Sequence, residues 1–341
     1  MPEPGALAAA ALLAIVPSLL YVVVLNAIDR YEKEPWTILL ASLGLGAVAA
    51  PVLSIAILAA TGRPATLQPD FAPGPGGADP LVGIVEELVK GGLLILLIRS
   101  IRDEFDDVID GIVYGAALGA GFGATESLFF TAGGVNGLGG GTIAALLAAG
   151  LNHAFYTAIL GALLGAARGL TERRRVVTVT TLALATAAFA HSFHDTLPYI
   201  LSHVLGRPEA AVALGTRLLA QLANGLGVLT LAVVVVAAWG REARVLREQL
   251  ADEIAAGVVG PEDYATITSG RARLGRQLTL LRTGGLQDVL ALRRLYATEG
   301  ELAFHKRRLA VRRRKRPSLD RLDELRTTIR ELRQGLEKTQ P

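Results

Sequence analysis

Seven apolar segments, each about as long as a membrane span, constrain this chain before anything else does. They lie at roughly residues 5–28, 36–60, 81–100, 108–131, 142–167, 176–200 and 211–239. A helix needs about 20 apolar residues to cross a bilayer core, and inside that core only helices and closed barrels satisfy their own backbone groups. Runs this long are helical. The expected fold is therefore all-α: a polytopic membrane helical bundle of about seven transmembrane helices. The 38 glycines suit close helix packing in lipid. With no cysteine, disulfides and thiolate metal sites are excluded. Gly5 to Ile28 lacks a basic leader and a cleavage site before a polar domain, so it reads as a retained span rather than a signal peptide.

Charge divides the chain. Residues 241–341 hold 22 Lys/Arg against 14 Asp/Glu, and residues 1–240 hold 12 against 17. The expected domains are a membrane domain, 1–240, and a basic, helical, polar tail, 241–341, with too few apolar residues for a large core. Loops bearing Arg30 and Lys33, Arg99 and Arg102, and Arg168 with Arg173 to Arg175 alternate with loops nearly free of basic residues. The positive-inside rule puts the first group in the cytoplasm. This predicts a multi-pass protein of the cell's inner (plasma) membrane, with its N-terminus outside and its tail in the cytoplasm. Lys306 to Arg316 has eight basic residues in eleven. Anionic inner-leaflet lipid is its favoured partner, ahead of nucleic acid. Pro317-Ser318, followed by Asp320, reads as a helix start.

Ionisable residues inside the spans are costly, at roughly 2.5–3.5 kcal/mol each near mid-membrane on insertion scales. The third span carries Glu86-Glu87-Leu88-Val89-Lys90. Glu86 and Lys90 are four apart on one helical face and suited to pair, with Glu87 turned about 100° away. The fourth span opens with Asp110-Gly111, continues through Gly115 to Gly123 and reaches Glu126. The fifth begins Leu151-Asn152-His153, and the sixth holds His191, His194 and Asp195. Taken singly, each polar residue could be a buried structural contact. Together, carboxylates on two spans and imidazoles on two more suit a zinc ion with an open position for water. They equally suit a metal-free site in which glutamate and histidine activate water. A transporter's proton path and a non-catalytic membrane scaffold are the alternatives, although no inverted repeat is visible.

Glu86-Glu87-Leu88-Val89-Lys90 matches an EExxK motif, and Phe122-Gly123-Ala124-Thr125-Glu126 matches FxxxE. His153 follows, with Phe155 and Gly161 after it, and His191 with Asp195 forms HxxxD. In this order the motifs resemble the PrsW family of intramembrane proteases, distant relatives of the CAAX prenyl proteases and bacteriocin-processing enzymes. Tyr31-Glu32-Lys33-Glu34-Pro35 and Asp110-Gly111 are also similar, and the resemblance covers about residues 20–200. It implies a membrane-embedded metalloprotease that clips membrane-anchored substrates, such as anti-sigma factors, in signalling by regulated proteolysis. Carried over by position, Glu86, Glu87, Glu126, His191 and Asp195 are the implied catalytic residues. Glu87, Glu126, His153 and His191 are the implied metal ligands, with zinc as the cofactor. Asp195 would orient His191 or help bind the transition state, and Lys90 would neutralise Glu86 or hold the helix pair.

Overall fold

A computed structural model describes residues 4–31, 33–62, 79–102, 104–132, 140–311 and 319–339. Most of the irregular loop expected between Thr61 and Pro80 lies outside these residues. So do the glycine-rich approach at 133–139 and Arg312 to Arg316 of the basic run. The described residues form eleven helices and no strand. These are α1 (Pro4–Ile28), α2 (Trp36–Ala60), α3 (Pro80–Ser100), α4 (Val108–Ala132), α5 (Gly140–Ala167) and α6 (Arg173–Leu205), then α7 (Glu209–Ala255), α8 (Pro261–Ile267), α9 (Gly270–Thr283), α10 (Leu286–Val311) and α11 (Leu319–Thr339). Each of the seven apolar segments is helical. Six of the helices, α1, α2 and α4 to α7, are long and apolar enough to cross a membrane. The 21 residues of α3 are long enough as well, but Glu86, Glu87 and Lys90 interrupt its apolar surface.

The chain forms two compact units, Met1–Asp29 with Glu34–Val235, and Arg30–Lys33 with Val236–Pro341. In the first, α4 is central, with 89% of Val108–Phe129 buried. It packs on α5 above all, and on α1 and α2. Glycine spacing is the cause. Gly111, Gly115, Gly119 and Gly123 recur every four residues along one face of α4, which lies against Gly161, Thr157, His153 and Gly150 of α5. A Cβ at the first three positions would strike backbone carbonyl atoms of α5, so only glycine allows this approach. On another face of α4, Gly121 meets the backbone of α2 near a π-helical turn, Leu45–Ala49. Within that turn the carbonyl of Ala47 accepts a hydrogen bond from Thr125 Oγ1 at 2.6 Å, one residue before Glu126. Gly206, with φ of 58°, closes α6 in a left-handed cap.

The second unit has a larger core than composition suggested. Leu246, Leu250, Val258, Ile267, Leu295, Tyr296 and Leu302 are buried together. Leu322, Leu325, Ile329 and Leu336 join them from α11, spaced as the apolar stripe of an amphipathic helix. Tyr31 is 4% exposed within the same cluster. The Arg273 guanidinium donates to the Arg30 carbonyl at 2.9 Å and lies 5.8 Å from the Tyr31 ring. Arg30 in turn sits 4.1 Å over Trp239. Thus Tyr31 supplies part of this core from the loop between α1 and α2, and Arg30 packs on Trp239 beside it. Glu253 binds Lys306 at 2.9 Å and Arg326 at 2.8 Å, bracing α7, α10 and α11. The first residue of the basic run is therefore used within the fold.

Candidate active site

Four helices of the first unit, α3 to α6, bring the sequence-selected residues together. Helix α3 starts at Asp79, whose side chain accepts from the Leu81 amide at 3.0 Å. Gly83, one turn later, lets α3 lie against α6: a Cβ there would come within 3.2 Å of both Ser192 and His191. Ser192 Oγ donates to the Pro80 carbonyl at 2.9 Å, fixing the register of the two helices. Glu86, Glu87, Lys90, Glu126, His153 and His191 are all buried, each at most 3% exposed. An apolar groove of about 590 Å³ runs between α3 and α6, with Ser192 in its wall beside His191.

Two carboxylate–imidazole pairs form the centre. Glu126 Oε2 lies 2.7 Å from His153 Nε2, and Glu87 Oε1 lies 3.0 Å from His191 Nδ1. Lys90 links them. Its ammonium is ion-paired with Glu87, donates to His153 Nδ1 at 3.0 Å and sits 4.3 Å over the Phe122 ring. The expected pairing of Lys90 with Glu86 is therefore corrected: it engages the carboxylate three residues before it. Both spacings bring side chains together on a helix, and the contacts from His153 and Phe122 settle which is used. Thr157 Oγ1 adds a 3.4 Å hydrogen bond to Glu87 Oε2.

Glu86 has a different place. Its Oε2 is 3.8 Å from His191 Nε2, and Asp195 Oδ2 is 3.3 Å from the same nitrogen. Ligand atoms of Glu86, His153 and His191 lie within 4.8 Å of one another, close enough to converge on one metal ion. Two imidazoles and a carboxylate are a zinc donor set. Four carboxyl groups beside a single ammonium also leave a formal excess of negative charge that a dication would offset. Both nitrogens of His153 are engaged, so an ion there would take the place of Lys90 or Glu126 on that ring. Of the four residues expected as ligands, His153 and His191 belong to this converging set, while Glu87 bonds His191 at Nδ1 and Glu126 bonds His153 at Nε2.

His194 faces away into a second polar network. Its Nε2 is 3.3 Å from Asn152 Nδ2 and its Nδ1 is 3.2 Å from Asn224 Nδ2. Asn224 also reaches Asn152 Oδ1 at 2.9 Å and the Tyr156 hydroxyl at 3.0 Å. Sequence reasoning passed over Tyr156, Thr157 and Asn224. Asn224 had a usable signal, being with Gln221 one of two amides in an apolar segment. Tyr156 had none beyond standing one turn after Asn152. A third cluster explains two further motifs. Glu34 accepts from the Tyr114 hydroxyl, and its backbone amide donates to Asp29 Oδ2 at 2.6 Å. Asp110 Oδ2 accepts from the amides of Asp106 and Asp107 at the start of α4. His203 is exposed, and its Nδ1 lies 3.0 Å from the Tyr199 carbonyl and 3.3 Å from Ser202 Oγ, within its own helix turn.

Neither the curated proteins nor the solved structures searched gave a match. The family comparison did, over residues 34–239. That stretch contains every residue of the buried Glu/His centre and all four of the helices that build it. This chain belongs to the PrsW family of intramembrane metalloproteases.

Proposed function

We propose that this membrane protease is an endopeptidase that cuts membrane-anchored proteins, anti-sigma factors among them, at the Glu/His centre, with a zinc ion held by Glu86, His153 and His191. The observation that carries the reading is the convergence of those three side chains at a buried point, with Glu87 and Glu126 hydrogen-bonded to the two imidazoles. Carboxylates hydrogen-bonded to ligating imidazoles fix ring orientation and raise ligand basicity. A bound zinc ion would supply a Lewis acid and a water acidic enough to attack a peptide carbonyl.

The protein's own groups do the rest. Asp195 is the most open of the four carboxyls, with 12% of its side chain exposed beside His191 Nε2. It is placed to take a proton from water in the site and return it to the leaving amine. Lys90 balances Glu87 and keeps that carboxylate on His191. The groove between α3 and α6 suits a substrate that arrives through lipid. On this reading residues 1–240 are the protease domain, in the inner membrane, and the basic tail, 241–341, is cytoplasmic and meets anionic lipid.

Cleavage of a single-span test substrate by purified protein, with metal analysis alongside, tests the proposal. Glu86→Gln, His191→Ala and Asp195→Asn are expected to accumulate in the membrane as the parent does. Each is expected to lose activity, Asp195→Asn by about 10²–10⁴-fold as for lost acid–base help. Zinc near one equivalent, and loss of cleavage on chelation, are expected. Wild-type cleavage by Glu86→Gln would overturn the site, and undiminished cleavage after complete metal removal would overturn the metal.

A further inference from the structure

Helix α5 carries two neighbouring polar stripes. His153 and Thr157, four apart, face Lys90, Glu87 and Glu126. Asn152 and Tyr156, also four apart, face His194 of α6 and Asn224 of α7. The second stripe touches the active centre through Tyr156, whose ring meets His153 edge-on with centroids 6.2 Å apart. The Tyr156 ring is stacked on the His191 imidazole, with centroids 4.8 Å apart and planes 18° apart. The other ring contacts of the centre are edge-on or tilted: His153 meets His191 at 84° and Phe122 at 55°. Tyr156 alone covers a face of His191 in this near-parallel way among these contacts.

Tyr156 is fully buried, and its hydroxyl sits 3.0 Å from Asn224 Nδ2. Asn224 is 9% exposed, in a helix whose neighbouring turns are mostly Leu, Ala, Gly and Val. A buried amide in such a place needs partners, and Asn152, Tyr156 and His194 provide them. Both nitrogens of His191 are held at their edges, by Glu87 and by Glu86 with Asp195. Edge contacts fix where the nitrogens point, and a stacked ring fixes the tilt of the plane.

We propose that Tyr156 is a positioning residue for His191 and that Asn224 is the anchor that holds Tyr156, so that α7 takes part in the working site without contributing a reacting group. The inference rests on the protease reading. A misplacement of about 1 Å at a reacting group can lower a rate by as much as 10²-fold, which bounds the effect.

The test is steady-state cleavage by the purified full-length protein carrying Tyr156→Phe, Tyr156→Leu, Asn224→Leu, or Tyr156→Phe with Asn224→Leu. Thermal unfolding is measured on each. Tyr156→Phe keeps the stack and loses the tether, and should lower kcat about tenfold with KM within about twofold. Asn224→Leu should do the same. The double variant should be no slower than either single one, because both remove one interaction. Tyr156→Leu loses stack and tether and should fall about a hundredfold. If Tyr156→Leu fails to fold, the other three decide. Unchanged kcat with a lowered unfolding temperature would make the network a scaffold and overturn the proposal. Single losses that multiply in the double variant, or a change in KM alone, would also overturn it. Failure of the wild-type protein to cleave would instead sink the protease reading on which this stands.

Discussion

The charge balance of the buried centre turns on Lys90, which meets Glu87, His153 and Phe122 at once. Removing one member of a buried ion pair leaves the other uncompensated, at about 3–5 kcal/mol, whereas removing both is often neutral. Lys90→Met should therefore unfold at a markedly lower temperature in detergent than the parent. Lys90→Met combined with Glu87→Gln should recover most of that loss while staying inactive. A double variant as unstable as Lys90→Met would show that Lys90 stabilises the bundle by some contact other than Glu87. The sequence made the identity of these residues plain, because an ionisable group in an apolar run stands out. It pointed to the wrong partner, Glu86 at the i, i+4 spacing, because position 87 is also within reach of 90 and the deciding contacts come from α4 and α5.

The helices themselves were legible because hydropathy reports them directly, and all seven apolar segments are helical. Their packing was legible only where glycine marks it. The stripe from Gly111 to Gly123 announces a close neighbour, but not that α5 is the neighbour. The contrast between two glycines tests how rigid this contact is. Gly115→Ala places a methyl against the Thr157 carbonyl, a backbone atom that no rotamer change can move, and should abolish accumulation or lower the unfolding temperature sharply. Gly92→Ala meets nothing within 4 Å in the middle of α3 and should stabilise by about 0.5–1 kcal/mol. Equal effects in a denaturation series would show that α4 and α5 can part without consequence. Asn152, Tyr156 and Asn224 could not be assembled from sequence: the first two share a face of α5, but nothing in the spacing relates them to an amide on α7.

At the scale of the whole molecule, the second unit carries its own response to pH. Glu299 is fully buried, and among the described residues neither of its oxygens has a hydrogen-bond partner. Burial, reinforced by Asp263, pushes its carboxyl up to about 8 despite the opposing pull of Arg333, Arg273 and Arg276. An ordinary glutamate in the unfolded chain titrates near 4.5. Stability tied to the protonated form is thus fully present below about pH 4.5 and is lost as pH rises through about 8. Unfolding of this unit, followed by Trp239 fluorescence in the full-length protein, should become easier from pH 5 to pH 9. Glu299→Gln should flatten that dependence and be the more stable form at pH 9, and a parallel pH profile in the two would contradict the assignment. The core around Glu299 was missed from composition because its apolar residues are spread thinly over α7 to α11 and gather only where those helices pack, with Tyr31 joining from outside the tail.

Tyr31 belongs to that core, yet Ile329, which lies in the same cluster, comes roughly 300 residues later. A ribosome adding about 5–20 residues each second reaches Ile329 some 15–60 s after Tyr31. For that interval the cluster that buries the ring is incomplete. The second unit is therefore closed well after α1 to α6 are made, although it includes a residue that precedes most of them. A polypeptide abandoned before α11 emerges would lack Leu322, Leu325, Ile329 and Leu336 from that cluster, and a core left incomplete opens more readily to proteolysis.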